Sequence, residues 1–189
     1  MKKLLVLFTV ACTCIGLAFA GGTKEESGSG KPFVGLAMHN QTETWAVQFK
    51  NTFVEYAKSK GFKVTVTDAN KDVTNQVGQI EDLVSLGVDS LVVLPADYTA
   101  LGQALKTAYN AGVKIVNADS KVVEDDQKFV SCFITADCYS GGYAIGKYLS
   151  TKLARNAKIG ALNYPQLSVI AVRFDGLAAA LKDAGRSDV

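Results

Sequence analysis

From Pro32 onward, short runs of β-branched and apolar residues alternate with longer stretches whose apolar side chains recur every three or four positions. The short runs predict strands at 33–38, 62–67, 90–94, 114–117, 129–134 and 158–162, and the longer ones predict helices near 43–60, 72–86, 98–111, 139–153 and 168–184. Trp45, Phe49, Phe53, Tyr56 and Ala57 fall on one helical face; Val77, Ile80, Leu83 and Val84 fall on another. Gly61, Gly87 and Gly112 each follow a last periodic turn, where a left-handed residue closes a helix. The runs at 33–38 and 91–94 are apolar on both faces, as strands covered by helices on two sides must be. Strict alternation of strand and helix then predicts an α/β fold built on a doubly wound parallel sheet, with any ligand site at the carboxyl ends of the strands.

The chain opens differently. Met1-Lys2-Lys3 precede an apolar run from Leu4 to Ala20, broken only by Thr9, Thr13 and Gly16 and ending in Ala18-Phe19-Ala20. A positive start, an apolar centre and small residues at −1 and −3 predict a signal peptide at 1–20, cleaved after Ala20. A short membrane anchor is the alternative, since about 17 residues lie at the bottom of the spanning range. Gly21, not cysteine, follows the cleavage point, and Cys12 and Cys14 lie inside the run, which argues against a lipoprotein. Residues 21–31, GGTKEESGSGK, lack large apolar side chains and read as a flexible linker.

Cleavage removes Lys2 and Lys3 but no acid, so 20 basic residues against 18 acidic become 18 against 18. A neutral mature chain argues against a nucleic-acid partner. Cys132 and Cys138 remain, separated by a distance of roughly 20 Å if the chain between them is extended, far beyond bridging range. Two separate buried thiols are expected, unless the chain turns sharply. No Cys-x-x-Cys or Cys/His cluster is present, so the sequence calls for neither a metal nor a cofactor. After the last predicted helix, Ala184-Gly185-Arg186-Ser187-Asp188-Val189 reads as a turn toward another strand, which gives the expectation of a C-terminally truncated chain.

The ordered series of segments carries a resemblance. It comprises 33–38, then His39-Asn40-Gln41-Thr42-Glu43-Thr44, Trp45 opening a helix, Gln79-Ile80-Glu81-Asp82-Leu83 and Gly87-Val88-Asp89. It continues through Val93-Leu94-Pro95-Ala96-Asp97, the run from Gly112 to Asp119, Ala136-Asp137, Gly141-Gly142 and Arg173-Phe174-Asp175-Gly176-Leu177. Over about 32–189 this resembles the ribose-binding branch of the periplasmic sugar-binding proteins, of the periplasmic binding protein type I fold. The resemblance implies two α/β lobes closing on a ligand, with 32–136 as the N-terminal lobe and 137–189 as the first part of the C-terminal lobe. Asp137 would belong to the hinge between them.

The resemblance also implies site residues. Trp45 would stack on a sugar, its face covering C–H surface while hydroxyls stay free; alternatively it packs on its own sheet. Asp119 would accept hydrogen bonds from two sugar hydroxyls, or serve only as a turn residue. The next family position commonly carries Arg; Ser120 stands here, so the ligand need not be ribose. Arg173 would reach the ligand from the second lobe, or pair with Asp175 or Asp183 on the surface. His39 and Glu43 occupy positions where the family has small polar groups, and Asn40 completes the set of candidate ligand-binding residues.

Enzyme readings fail on inventory. The single histidine, His39, has no Gly-x-Ser-x-Gly elbow to serve. Gly28-Ser29-Gly30-Lys31 mimics the end of a phosphate loop, but Pro32 replaces the Ser/Thr, Glu25 replaces the first glycine, and it precedes a strand. At Gly141-Gly142, close helix packing is expected ahead of anion binding. The reading that follows is a solute-binding component of an ABC importer: an exported, periplasmic, monomeric protein that captures a sugar or polyol and delivers it to a membrane permease. The alternative is a sensor of the same fold that presents its ligand to a chemoreceptor or sensor kinase.

Overall fold

The computed structural model describes residues 30–189; the leader read at 1–20 and nearly all of the linker at 21–31 lie outside the described residues. Strands β1 (Phe33–Met38), β2 (Lys63–Asp68), β3 (Ser90–Val93), β4 (Lys114–Ala118) and β5 (Cys132–Ile134) alternate with α1 (Thr44–Ser59), α2 (Val73–Ser85) and α3 (Gly102–Asn110). Two further helices follow, α4 (Cys138–Lys152) and α5 (Ser168–Asp183). The strands form one parallel sheet in the order β2-β1-β3-β4-β5. The order reverses at β1, whose successive neighbours lie on opposite sides, and this is where open α/β sheets place a ligand crevice.

Period-two alternation decides which helix each strand residue meets. Ala37, Leu91, Val93 and Ile115 share a face and pack with Ile80 and Leu83 of α2 and with Ala104, Leu105 and Ala108 of α3. Leu36, Met38, Val92 and Ala118 point the other way, toward Ala46, Phe49 and Phe53 of α1. Each fully buried Leu or Met contributes roughly 1.5–3 kcal/mol. Two helices therefore cover one face and a single helix the other. On the α1 side the sheet is partly bare toward its β5 edge, where Ile134 is 60% exposed.

Gln76, fully buried on α2, ties this layer together at the carboxyl ends of the strands. Its Nε2 donates to the Leu94 carbonyl at 2.7 Å and the Ala37 carbonyl at 3.3 Å, while its Oε1 accepts from Ala96 N at 2.8 Å. These bonds satisfy the Leu94 carbonyl and Ala96 N just past β3, while the Ala37 carbonyl also accepts from Leu94 N at 3.0 Å, and full pairing is what makes a buried amide tolerable.

Gly61, Gly87 and Gly112 take φ values of 86°, 76° and 85°, the left-handed closure expected of them. Four expectations need correction. The predicted helix at 98–111 begins only at Gly102, because Asp97 Oδ1 accepts from Thr99 N at 2.8 Å and folds 97–100 into a turn. In the predicted strand at 129–134 only Cys132–Ile134 is extended; Glu124–Phe129 forms a 3-10 helix that lays Phe129 against Tyr109, ring centroids 5.7 Å apart. The run at 158–162 is not a strand, because none of the described residues offers it a ladder partner. Cys138 is buried as expected, but Cys132 is exposed: it shares with Ile134 the bare face of the edge strand.

Helices α4 and α5 pack against each other. A methyl group at Gly142 would collide with the Arg173 carbonyl, and one at Gly176 with the Tyr139 carbonyl, so the two backbones touch where only glycine fits. This bears out the close-packing reading at Gly142 but not at Gly141, where an added methyl group would meet nothing within 4 Å. Arg186 closes the pair: Nη1 donates to the carbonyls of Ser150 and Leu153 at 3.0 and 2.9 Å, and Nη2 to that of Ala154 at 2.7 Å. It thereby satisfies carbonyls at the end of α4 that the helix cannot. Asp188, 2.8 Å from Arg186 Nε, is held far below the usual carboxylate range by that guanidinium.

Candidate functional site

The loop after β1 is shaped by Asn40. Its buried Oδ1 accepts from the backbone of Thr42 and Glu43 at 3.0 and 3.1 Å and from Thr42 Oγ1 at 3.2 Å. This turn starts α1 at Thr44 and sets Trp45 in its first turn. Trp45 is 48% exposed, with its ring centroid 5.5 Å from Phe49 and 6.3 Å from His39. A large aromatic ring half open to solvent in this position is available as a stacking surface.

His39 is 6% exposed, and its Nε2 lies 3.9 Å from Glu43 Oε2. Burial pushes its pKa below the ordinary value, against the pull of the Glu43 and Asp119 carboxylates, so the neutral ring prevails near neutral pH. Glu43 is held by Lys71, whose Nζ stands 2.7 Å from Oε1, and this contact keeps the carboxylate ionised below its usual range. Lys71 owes its place to the turn after β2. Asn70 and Lys71 both adopt left-handed backbone, φ 51° and 65°, and Lys71 N donates to the His39 carbonyl at 2.7 Å.

Asp119 follows β4 in the left-handed region, φ 66°, with its N–H bonded to the Ile134 carbonyl at 2.9 Å. Asn117 holds the bend from within: Nδ2 donates to the Ser120 carbonyl at 2.8 Å, and Oδ1 accepts from Val122 N at 3.0 Å. Burial raises the Asp119 pKa, opposed by His39 and then by Arg173 on α5.

These groups meet in a cleft of about 830 Å³ at the carboxyl ends of the strands. Its polar end is formed by His39, Glu43, Trp45, Asp119 and Arg173, and its apolar end by Phe49, Phe53, Val92, Val116 and Ile134 on the bare face of the sheet. Thr135, Ala136 and Cys138 line it from the segment after β5, and Leu167, Val169 and Ile170 from the start of α5. Asn40 and Ser120 are buried beneath it without lining it; the Ser120 hydroxyl lies 3.5 Å from Asp119 Oδ2. Asp137 caps α4 by accepting from Ser140 N at 2.9 Å, which lowers its pKa.

Sequence reasoning missed Lys71, Gln76 and Asn117. Lys71 had no signal beyond the turn residues around it. Gln76 and Asn117 were detectable only as polar residues interrupting otherwise apolar faces. Chemically, the polar end offers two carboxylates that accept hydrogen bonds, one cationic side chain, Arg173, that donates them and an imidazole that can do both, beside an open aromatic face. Among the described residues, no group of three or more His, Cys, Asp or Glu side chains could hold a metal ion.

Comparison with known proteins bears on the fold and the family. The chain is 31% identical over 137 residues to the ribose import binding protein RbsB of Bacillus subtilis, which covers 72% of this chain and 44% of that protein. It is 30% identical over 156 residues to the multiple sugar-binding periplasmic protein SbpA of Azospirillum brasilense, covering 82% of this chain and 43% of that one. Among solved structures, an ABC transporter solute-binding protein from Mycobacterium smegmatis with bound glycerol superposes with a TM-score of 0.75 at 26% identity, over 84% of this chain and 54% of that one. Another, from Clostridium phytofermentans with bound β-D-glucose, gives a TM-score of 0.71 at 27% identity, over 80% and 48%. The chain thus spans about half the length of the relatives it matches. Residues 34–189 match the family described as periplasmic binding protein domain, and the chain belongs to that family.

Proposed function

We propose that this protein is the solute-binding component of an ABC importer, exported from the cytoplasm, and that it captures a neutral sugar or polyol between an N-terminal lobe, 32–136, and a second lobe that begins at 137. The observation that carries the reading is the half-exposed Trp45 beside His39, Glu43, Asp119 and Arg173 at one end of one cleft. An aromatic platform ringed by hydrogen-bonding groups matches the two surfaces of a sugar, apolar C–H faces and an equator of hydroxyls. The charges of Glu43 and Asp119 are balanced by those of Lys71 and Arg173, which favours an uncharged ligand. The relatives' sugar-binding names support the same class. No chemistry on the ligand is involved, and the protein's work is capture and release to a permease.

Calorimetric screening of the full chain against monosaccharides, polyols and amino acids tests the reading. Saturable heat from a sugar or polyol is expected. Heat from amino acids alone, with none from any carbohydrate, would overturn it.

A further inference from the structure

The polar end of the cleft does not stop at Glu43. Against the His39 and Glu43 side chains lies a second cavity of about 250 Å³, also lined by Lys71, Ala96 and Tyr164. The two cavities share His39 and Glu43 as well as Leu167 and Ile170, so they adjoin along these four side chains. The shared rim is ordered: Lys71 Nζ grips Glu43 Oε1 at 2.7 Å, and Lys71 N is bonded to the His39 carbonyl.

We propose that the side chamber is a second subsite, and that the preferred ligand is longer than one sugar ring: a disaccharide or a glycosylated polyol whose first ring lies on Trp45 and whose second unit enters between Lys71 and Tyr164. This rests on the carbohydrate reading above and extends it. Space is the first argument. The larger chamber alone, at about 830 Å³, falls near the top of the range of roughly 300–1,000 Å³ that drug-sized ligands occupy. The chemistry of the side chamber is the second. An ammonium, a carboxylate, an imidazole and a phenol line it together with the apolar side chains of Leu167 and Ile170. A second hydroxylated unit presents the same pairing of C–H face and hydroxyl edge. The charge of Lys71 is already met by Glu43, so the pair offers no free charge to select an anionic or cationic extension.

The test compares D-ribose, D-glucose and D-galactose with maltose, lactose and glucosylglycerol by isothermal calorimetry on the full chain, for the native protein, Tyr164→Ala and Ala96→Leu. Tyr164→Ala removes a lining ring from the side chamber and Ala96→Leu adds bulk to its lining; neither residue lines the larger chamber. At least one two-unit ligand should bind ten-fold or more tighter than its component monosaccharide. Both variants should remove that advantage while leaving the monosaccharide affinity within about two-fold. Monosaccharides binding as tightly as, or tighter than, every two-unit ligand would overturn the second subsite and leave the carbohydrate reading standing. Retention of the advantage in both variants would also overturn it. Absence of binding by all six and by the polyols of the first screen would overturn the carbohydrate reading, and the subsite with it; binding of a free polyol with none of the six would overturn the subsite alone.

Discussion

Replacing Asp119 with asparagine should move binding and stability in opposite directions. Asparagine keeps the shape of the side chain and tolerates the left-handed backbone at φ 66°, so the bend after β4 survives. What changes is the charge. A hydrogen bond to an ionised acceptor is worth about 1.5–3 kcal/mol and a neutral one about 0.5–1.5 kcal/mol, so two ligand hydroxyls together lose about 2–3 kcal/mol, a roughly 30- to 150-fold weaker affinity. Stability follows from the raised pKa. The folded carboxyl holds its proton more tightly than the unfolded one, so its contribution is intact below the ordinary carboxylate range and declines as pH rises through the folded value. At pH 7 the half-buried, ionised group is a net cost that asparagine removes. The melting temperature at pH 7 should therefore hold or rise by a few degrees, at about 2–4 °C per kcal/mol for a chain of this size. Calorimetric titration and a thermal melt on the same preparation read both effects. Glu43→Ala serves as the control: its carboxylate is half exposed, and its loss should weaken binding by no more than about five-fold. Equal losses from the two variants, or a melting temperature that drops by several degrees in Asp119→Asn, would refute the reasoning.

Three further outcomes are expected. Gly142→Val should push α4 away from the Arg173 carbonyl at an overpacking cost of about 1–3 kcal/mol, lowering both the melting temperature and the ligand affinity, while hydrogen exchange in β1 and β3 stays as protected as before. Gln76→Ala strands Ala96 N and the Leu94 carbonyl in the core, so chemical denaturation should report a loss of about 2–5 kcal/mol; a loss under 1 kcal/mol would contradict the tie between α2 and the end of β3. The lowered pKa of His39 means the unfolded chain binds the extra proton first, so stability should fall as pH drops below about 6.5 toward the folded value, and His39→Asn should flatten that part of the melting-temperature profile.

Strand and helix positions were legible wherever one side of the element is buried, because burial on one face writes a period into the sequence. The expectation at 33–38 matches β1 for a different reason, an unbroken apolar run covered on both faces, and helix ends at Gly61, Gly87 and Gly112 were readable because a left-handed closure leaves a glycine behind. The expectation failed where composition and pairing part company. The run at 158–162 has the residues of a strand, but a strand exists only by its ladder, and apolar composition does not say whether a partner is at hand. Phe129 belongs to the same class of error, since its apolar ring is satisfied by a 3-10 helix as well as by a strand. At the site, the order of segments pointed to Trp45, Asp119 and Arg173, which line one cleft. Lys71, Gln76 and Asn117 act by contacts between residues far apart in sequence or between a side chain and the backbone, and such contacts leave no period to read.

Ligand capture on the Trp45 platform is open to one decisive measurement. Trp45 is the only tryptophan in the chain, so indole emission reports on that ring alone. Titration of the full chain with the sugar or polyol that gives calorimetric heat should shift the emission saturably, with the same dissociation constant as the heat, and Asp119→Asn should move both midpoints together. Binding heat that leaves the Trp45 emission unchanged at saturation would place the ligand elsewhere and contradict the account.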